Sequence, residues 1–305
     1  MNKVLLKPRV TAAALCGALS VWGGAAKAIY VRGDVDISNF NNLALNPAFA
    51  AAGFFTSGCS GVLVASDKVL TAGHCAGGIT NESKFGFGAN KADAQTAYSV
   101  SSVAVNPLYS SGDQYQYDLA IATLSNPVTG VTPATINSTI NTTTLIGQEV
   151  TFIGYGAQGD GNDLALPASL LGANDRLGAT NIIDGVPFNL WAADFDSPSD
   201  PTKNYFGSFF GSSSAPTGLE GNLAWGDSGG PLFWNNFLVG IGGYILTQPP
   251  TPTYGNASLW VRLDSKANLN FLQLNGISPA PVPLPPALWL LGSALFGLAG
   301  FRRNA

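Results

Sequence analysis

Apolar residues along this chain come in short runs between turn signals rather than at helical spacing. Val62-Leu63-Val64, Val69-Leu70, Leu119-Ala120-Ile121, Val150-Thr151-Phe152-Ile153, Leu232-Phe233, Phe237 to Ile241 and Leu259-Trp260-Val261 all read as strands. Gly, Ser, Thr and Asn fill the gaps. The pattern predicts an all-β barrel or sandwich. The Thr/Asn-rich stretch Val131 to Thr144 reads as a connection between two halves, and 157–222 as long surface loops. Leu269, Leu272 and Leu274 have helical spacing, which predicts one short helix over Ser265 to Leu274.

The two ends follow a different pattern. Lys3, Lys7 and Arg9 precede the charge-free run Val10 to Ala26, and Ala26-Lys27-Ala28 is the small-x-small pattern that signal peptidase prefers. Residues 1–28 are therefore expected to be a signal peptide. At the other end Val282-Pro283-Leu284-Pro285-Pro286 leads into the uncharged stretch Ala287 to Phe301, followed by Arg302 and Arg303. A helix of that length barely crosses a bilayer core. The expectation is a short transmembrane stretch giving transient membrane contact.

Composition narrows the chemistry. Of 305 residues, 10% are charged, with 14 Lys and Arg against 18 Asp and Glu. Six of the basic residues lie in the two ends, so the middle carries eight against all 18 acids. Such a balance excludes a nucleic-acid partner on electrostatic grounds. The single histidine, His74, excludes zinc sites that need several imidazoles. The acidic stretches Asp160 to Asp163 and Asp194 to Asp200 follow no recognised calcium spacing, so no metal and no cofactor are expected. Cys59 and Cys75 are the two cysteines outside the leader, and in an exported protein they should pair.

Gly226-Asp227-Ser228-Gly229-Gly230-Pro231 is the strongest motif. Its G-x-S-x-G core also fits the nucleophile elbow of α/β-hydrolases, but that fold needs a histidine after the serine, and none follows Ser228. Gly154-Tyr155-Gly156-Ala157-Gln158-Gly159 matches the dinucleotide fingerprint G-x-G-x-x-G, yet Asp160-Gly161-Asn162-Asp163 follows where a helix should begin. Upstream stand Thr71-Ala72-Gly73-His74-Cys75 and, 44 residues after the histidine, Asp118-Leu119-Ala120-Ile121. A serine hydroxyl needs a base within reach to take its proton, and a carboxylate on the other ring nitrogen fixes the base's tautomer.

The order His74, Asp118, Ser228, with T-A-G-H-C, D-L-A-I, G-D-S-G-G-P, Cys59-Ser60-Gly61-Val62-Leu63 and Phe152-Ile153-Gly154-Tyr155-Gly156, resembles the trypsin-like (chymotrypsin-fold) serine proteases from about Ile29 to Leu274. The resemblance implies two six-stranded antiparallel β-barrels, about 29–135 and 145–265, within a protease domain at 29–278. It implies His74 as base, Asp118 as its partner, Ser228 as nucleophile, and an oxyanion hole of the Gly226 and Ser228 amides. It also implies an activation salt bridge between a freed Ile29 amine and Asp227, and places Asn222, Ile245 and Ser258 in the substrate pocket. Glu220 would enter that pocket only on a register slip. Gly243 stands where the family usually has a serine whose hydroxyl supports the catalytic Asp. The end segment 279–305 resembles a PEP-CTERM sorting tail, with Leu284 at the usual Glu position. Together these features imply a secreted serine endopeptidase acting on protein or peptide substrates. It would be processed by signal peptidase and an exosortase-like enzyme, at the envelope or surface of a Gram-negative bacterium. The competing expectation is a catalytically silent homologue used for binding or adhesion.

Overall fold

The fold is that of a computed structural model, which describes residues 29–91, 97–110, 115–162, 176–246 and 253–280. The first half closes into a barrel of six strands: β2 (Ala52–Phe55), β3 (Ser60–Ala65), β4 (Lys68–Thr71), β5 (Lys84–Gly86), β6 (Ala97–Val105) and β7 (Ala120–Leu124). Their order around the barrel is β2-β3-β4-β7-β6-β5, antiparallel throughout. Phe55, Val62, Leu63, Val69, Leu70, Phe85 and Ile121 are buried in its core. A single residue such as Leu63 or Leu70, cut to alanine, would cost about 3 kcal/mol there.

The second half differs from the closed barrel that the resemblance implies. Its six strands are β8 (Glu149–Gly154), β10 (Leu177–Ile182), β11 (Leu190–Asp194), β13 (Pro231–Trp234), β14 (Phe237–Leu246) and β15 (Ala257–Arg262). They form one sheet in the order β10-β8-β13-β14-β15-β11, a half-barrel whose edges are not joined by a ladder. Between edge strands β10 and β11 the contacts are the bridge Gly185–Ala192 just past β10, the Asp184 N–H donating to Ala192 O, the Asp194 N–H donating to Asp184 Oδ2, and the Asn181 side-chain amide donating to Asp194 O. Strands β10 and β11 lie inside the segment expected to be loops. Their small residues, such as Gly178, Ala179, Ala192 and Ala193, give little apolar signal, yet all are buried. Both faces of the sheet are covered. Leu259 and Val261 join the core shared with the barrel, while Trp260 between them packs with Trp191 and Phe152 on the other face. Burial on both faces explains why β8, β13, β14 and β15 read as largely apolar runs rather than alternating ones.

Three smaller features pack around the two halves. Strands β1 (Tyr30–Val31), β9 (Gly159–Asp160) and β12 (Gly221–Asn222) form a separate three-stranded sheet, so the start of the chain packs on the half-barrel side although the barrel follows it in sequence. The helix Ile37–Ala44, capped by Asp36, buries Phe40 and Ala44 against β10. The C-terminal helix Lys266–Leu274 forms as expected, with Ser265 as N-cap. Its buried face is Asn268, Phe271 and Leu272, however, and Leu274 is 77% exposed. The periodicity missed this because the face is anchored by an asparagine. Asn268 accepts from Asn106 and donates to the carbonyls of Gln116 and Arg262, tying both halves together.

The expectations of a transmembrane stretch and of membrane contact are corrected. Among the described residues no helix is long and apolar enough to cross a membrane. The leader at 1–28 and the tail at 281–305 lie outside the described residues.

Candidate active site

His74 leaves the barrel at the end of β4, on the short 3-10 turn Gly73–Gly78. Cys75 in that turn is disulfide-bonded to Cys59, the residue before β3. The link closes 16 residues and contributes about 3 kcal/mol if it acts through the unfolded chain. Asp118, fully buried, sits just before β7. Its two oxygens grip the histidine twice: Oδ1 accepts from the His74 backbone N–H and Oδ2 from Nδ1, both at 2.7 Å. An ionised carboxylate can only accept, so the imidazole proton is assigned to Nδ1 and Nε2 carries the free lone pair. Gly73 is required here: a Cβ would lie 2.9 Å from Asp118 Oδ1 and 3.0 Å from Tyr109 Cδ1.

Ser228 comes from the half-barrel, on the tight turn before β13. Its carbonyl accepts from Ser60 N at 2.9 Å, pinning the turn against the barrel. Gly229 has φ +85°, and a Cβ there would lie 2.3 Å from Ser60 O. The turn therefore tolerates no side chain at that position. Among the described residues the amides of Gly226 and Ser228 donate to no backbone carbonyl.

Asp227 turns away from the cleft and is fully buried. Its Oδ1 accepts from Gly156 N at 2.7 Å, and its Oδ2 from Ala224 N at 2.8 Å and Ile29 N at 3.1 Å. Burial pushes this carboxyl up to about 6, opposed by those three donors and by the charge of Lys91. The structure also accounts for the dinucleotide-like motif. A Cβ on Gly154 would fall 2.0 Å from Asp227 Oδ1, and one on Gly156 would fall 2.5 Å from Trp225 O. Those glycines make room for the serine turn.

His74 and Ser228 line one cleft of about 310 Å³ with Leu223, Ala224, Trp225, Gly243, Tyr244 and Ile245. The lining beyond the two reactive residues is uncharged. Ile245 is thus brought to the site. Asn222 and Ser258 are not part of the lining: both are fully buried, with Ser258 Oγ donating to Asn222 Oδ1 at 2.5 Å and accepting from Leu223 N at 2.8 Å. They support the wall from behind. Glu220 stays out of the cleft, with Oε2 accepting from the backbone N–H and hydroxyl of Thr217 at 2.6 and 2.8 Å. It belongs to an acidic group behind the pocket. Burial raises Asp196 to about 7 and Glu220 to about 8, and raises Asp184 to about 9 with the help of Asp194. Among the described residues no group of three or more His, Cys, Asp or Glu side chains is placed to hold a metal ion.

Three site residues escaped the sequence reading. Trp225, 75% exposed at the cleft mouth, is adjacent to the serine hexapeptide, and that adjacency was the available signal. Lys91 donates to Tyr155 O at 2.6 Å and acts on Asp227 from a distant strand connection, with no motif around it. Tyr109 reaches Asp118 across the barrel mouth, likewise without a signature.

The Trypsin family model matches residues 43–180, a span that holds His74 and Asp118 but stops before Ser228. Neuropsin, a serine protease expressed in the limbic system of mouse brain, is similar in structure. The TM-score is 0.53 at 17% identity, covering 76% of this chain and 97% of that one. No curated protein matches the chain. The chain has the trypsin-like serine-protease fold, and with the buried His74–Asp118 pair at its cleft it is a serine-type hydrolase.

Proposed function

We propose that this protein is a secreted endopeptidase whose catalytic residues are Ser228, His74 and Asp118. Ser228 Oγ attacks the scissile carbonyl while His74 Nε2 takes its proton, and the imidazolium then returns that proton to the leaving amine. Water repeats the cycle to release the acyl group. Asp118 holds the imidazole in the required tautomer and balances its positive charge. The amides of Gly226 and Ser228 bind the oxyanion, where each donor is worth about 3–4 kcal/mol to the transition state. The observation that carries this reading is the double grip of Asp118 on His74 beside a cleft that Ser228 also lines. The uncharged lining, with Ile245 filling one wall, supports a small or medium uncharged side chain at the residue whose carbonyl is attacked.

Export and activation belong to the same proposal. Cleavage after Ala28 frees the Ile29 amine, whose nitrogen already lies 3.1 Å from Asp227 Oδ2. Ile29 has φ +61°, costly for a β-branched residue, and that torsion ceases to exist once the preceding peptide bond is cut. An ammonium there would hold Asp227 ionised. The leader pattern supports secretion, and the Pro-rich segment with its terminal arginines supports sorting to the cell envelope. Labelling by a fluorophosphonate probe tests the chemistry: wild type should label, and Ser228→Ala should not. A folded wild type that fails to label leaves the silent homologue as the better description. Mass spectrometry of the mature N-terminus tests activation, and a start anywhere but Ile29 sinks that part.

A further inference from the structure

Asp118 receives only two strong hydrogen bonds from the described residues, and both come from His74. A buried carboxylate offers about four acceptor positions, and leaving them empty is costly. Glycine stands at 243, where a Cβ would be 3.8 Å from Asp118 Oδ2, so that side of the carboxylate meets no hydroxyl from residue 243. The next residue, Tyr244, brings one. Its ring packs edge-on against Tyr115 at 4.8 Å and tilted against His74 at 6.0 Å, which fixes where the phenol points. The hydroxyl is buried and, among the described residues, has no partner at good hydrogen-bond geometry. Burial above all, then the Asp118 charge and the nearby Tyr109 hydroxyl, push the Tyr244 phenol far above its ordinary value. Tyr109 is raised in turn by burial and by Asp118. Catalytic hydrogen bonds that are misaligned in the empty enzyme commonly tighten once substrate is bound.

We propose that Tyr244, backed by Tyr109, is a positioning residue that donates its hydroxyl hydrogen bond to Asp118 and so steadies the His74 imidazole. The titratable groups facing Asp118 are then His74, Tyr244 and Tyr109, with Tyr115 one ring further out. The inference rests on the triad reading above. It also explains why Gly73 is bare: the space a methyl group would take is needed by Tyr109.

The test is Tyr244→Phe, which keeps the ring and removes only the hydroxyl. With a peptide substrate, kcat should fall about tenfold while KM changes less than about twofold, the size expected for one hydrogen bond to a charged group. Because the chain has one histidine, a single imidazole titrates in the proton NMR spectrum. Its midpoint should move upward in Tyr244→Phe, since the less-compensated Asp118 charge favours imidazolium. Adding Gly243→Ser should restore much of the lost kcat and return the midpoint, because a side chain there meets Asp118 at ordinary contact distance. An unchanged kcat and midpoint overturns the proposal, as does a loss that Gly243→Ser does not recover. The midpoint is read equally well in Ser228→Ala, so a failure of the protease reading and a failure of the tyrosine's role are told apart.

Discussion

In the closed barrel the one fully buried carboxylate among the described residues, Asp118, faces His74. On the half-barrel side four buried acids, Asp194, Asp196, Glu220 and Asp227, have no salt bridge among the described residues. The barrel also carries the disulfide, whereas the half-barrel is held by strand pairing and by Arg262, which pairs with Asp264 at 2.5 Å and stacks on Trp191 at 4.6 Å. The contrast teaches a division of labour. On the proposed triad, the barrel would present the proton-transfer pair from a stapled, charge-matched frame. The half-barrel would present the nucleophile and the pocket from a frame whose buried acids stay protonated well above the usual range. Buried acids without a salt-bridged cation, Asp194, Asp196 and Glu220 above all, make that half sensitive to pH.

The largest test of this division removes one reactive group from each half. His74→Ala and Ser228→Ala should each lower kcat by about 10⁵ to 10⁶-fold, and the double variant should lose little more, because the two act as one unit. No second imidazole exists to replace His74. Steady-state kinetics on the three proteins would show it, and additive losses would break the picture of one shared site.

The staple comes next. Replacing Cys59 and Cys75 by serine should cost about 3 kcal/mol, read as a lower midpoint in urea. If the loss fell on the half-barrel first, as followed by hydrogen exchange, the comparison would be wrong.

The acids give a pH signature with a definite sign. In the unfolded chain carboxyls lose their protons near pH 4. In the folded chain Asp196 holds its proton to about 7, Glu220 to about 8 and Asp184 to about 9, and Asp227 to about 6 as long as the Ile29 amine is not freed. The folded state therefore binds more protons across this window, and stability falls as pH rises from about 4 through 9. Thermal melts should show the fall, and Glu220→Gln should flatten it between about pH 5 and 8 by up to about 4 kcal/mol. A melt profile indifferent to Glu220→Gln would remove the half-barrel's distinguishing feature.

The smallest effect concerns the pocket. Ile245→Gly should widen the cleft and shift preference towards bulkier uncharged side chains by about tenfold in kcat/KM, in line with the worth of a few methylenes. Paired peptide substrates with Ala and Phe at the attacked residue read it directly.

Strands β3, β4 and β7 of the barrel and β8, β13, β14 and β15 of the half-barrel were legible as short runs of large apolar residues, whereas β2, β5 and β6 of the barrel and β10 and β11 of the half-barrel were not. Strand β10 is mostly Gly, Ala, Thr and Asn, and β11 follows Leu190-Trp191 with Ala-Ala-Asp, residues that bury well but look like loop residues in a linear reading. The site divides similarly. His74, Asp118 and Ser228 announce themselves through neighbours dictated by local geometry, such as the glycines of the serine turn. Asn222 and Ser258 read as pocket residues, but whether a side chain points into a cleft or back to a neighbour depends on packing far along the chain.

From its residues alone the chain determined the all-β class, the chemistry open to a single histidine, and the order of His74, Asp118 and Ser228 along the chain. These follow from local composition and spacing. Tertiary structure alone decided that the second sheet stays open, that Asn268 rather than Leu274 faces inward, and that Tyr109 and Tyr244 converge on Asp118. Those outcomes depend on contacts between residues that lie up to 162 positions apart, and no local pattern encodes which distant groups will share one desolvated space.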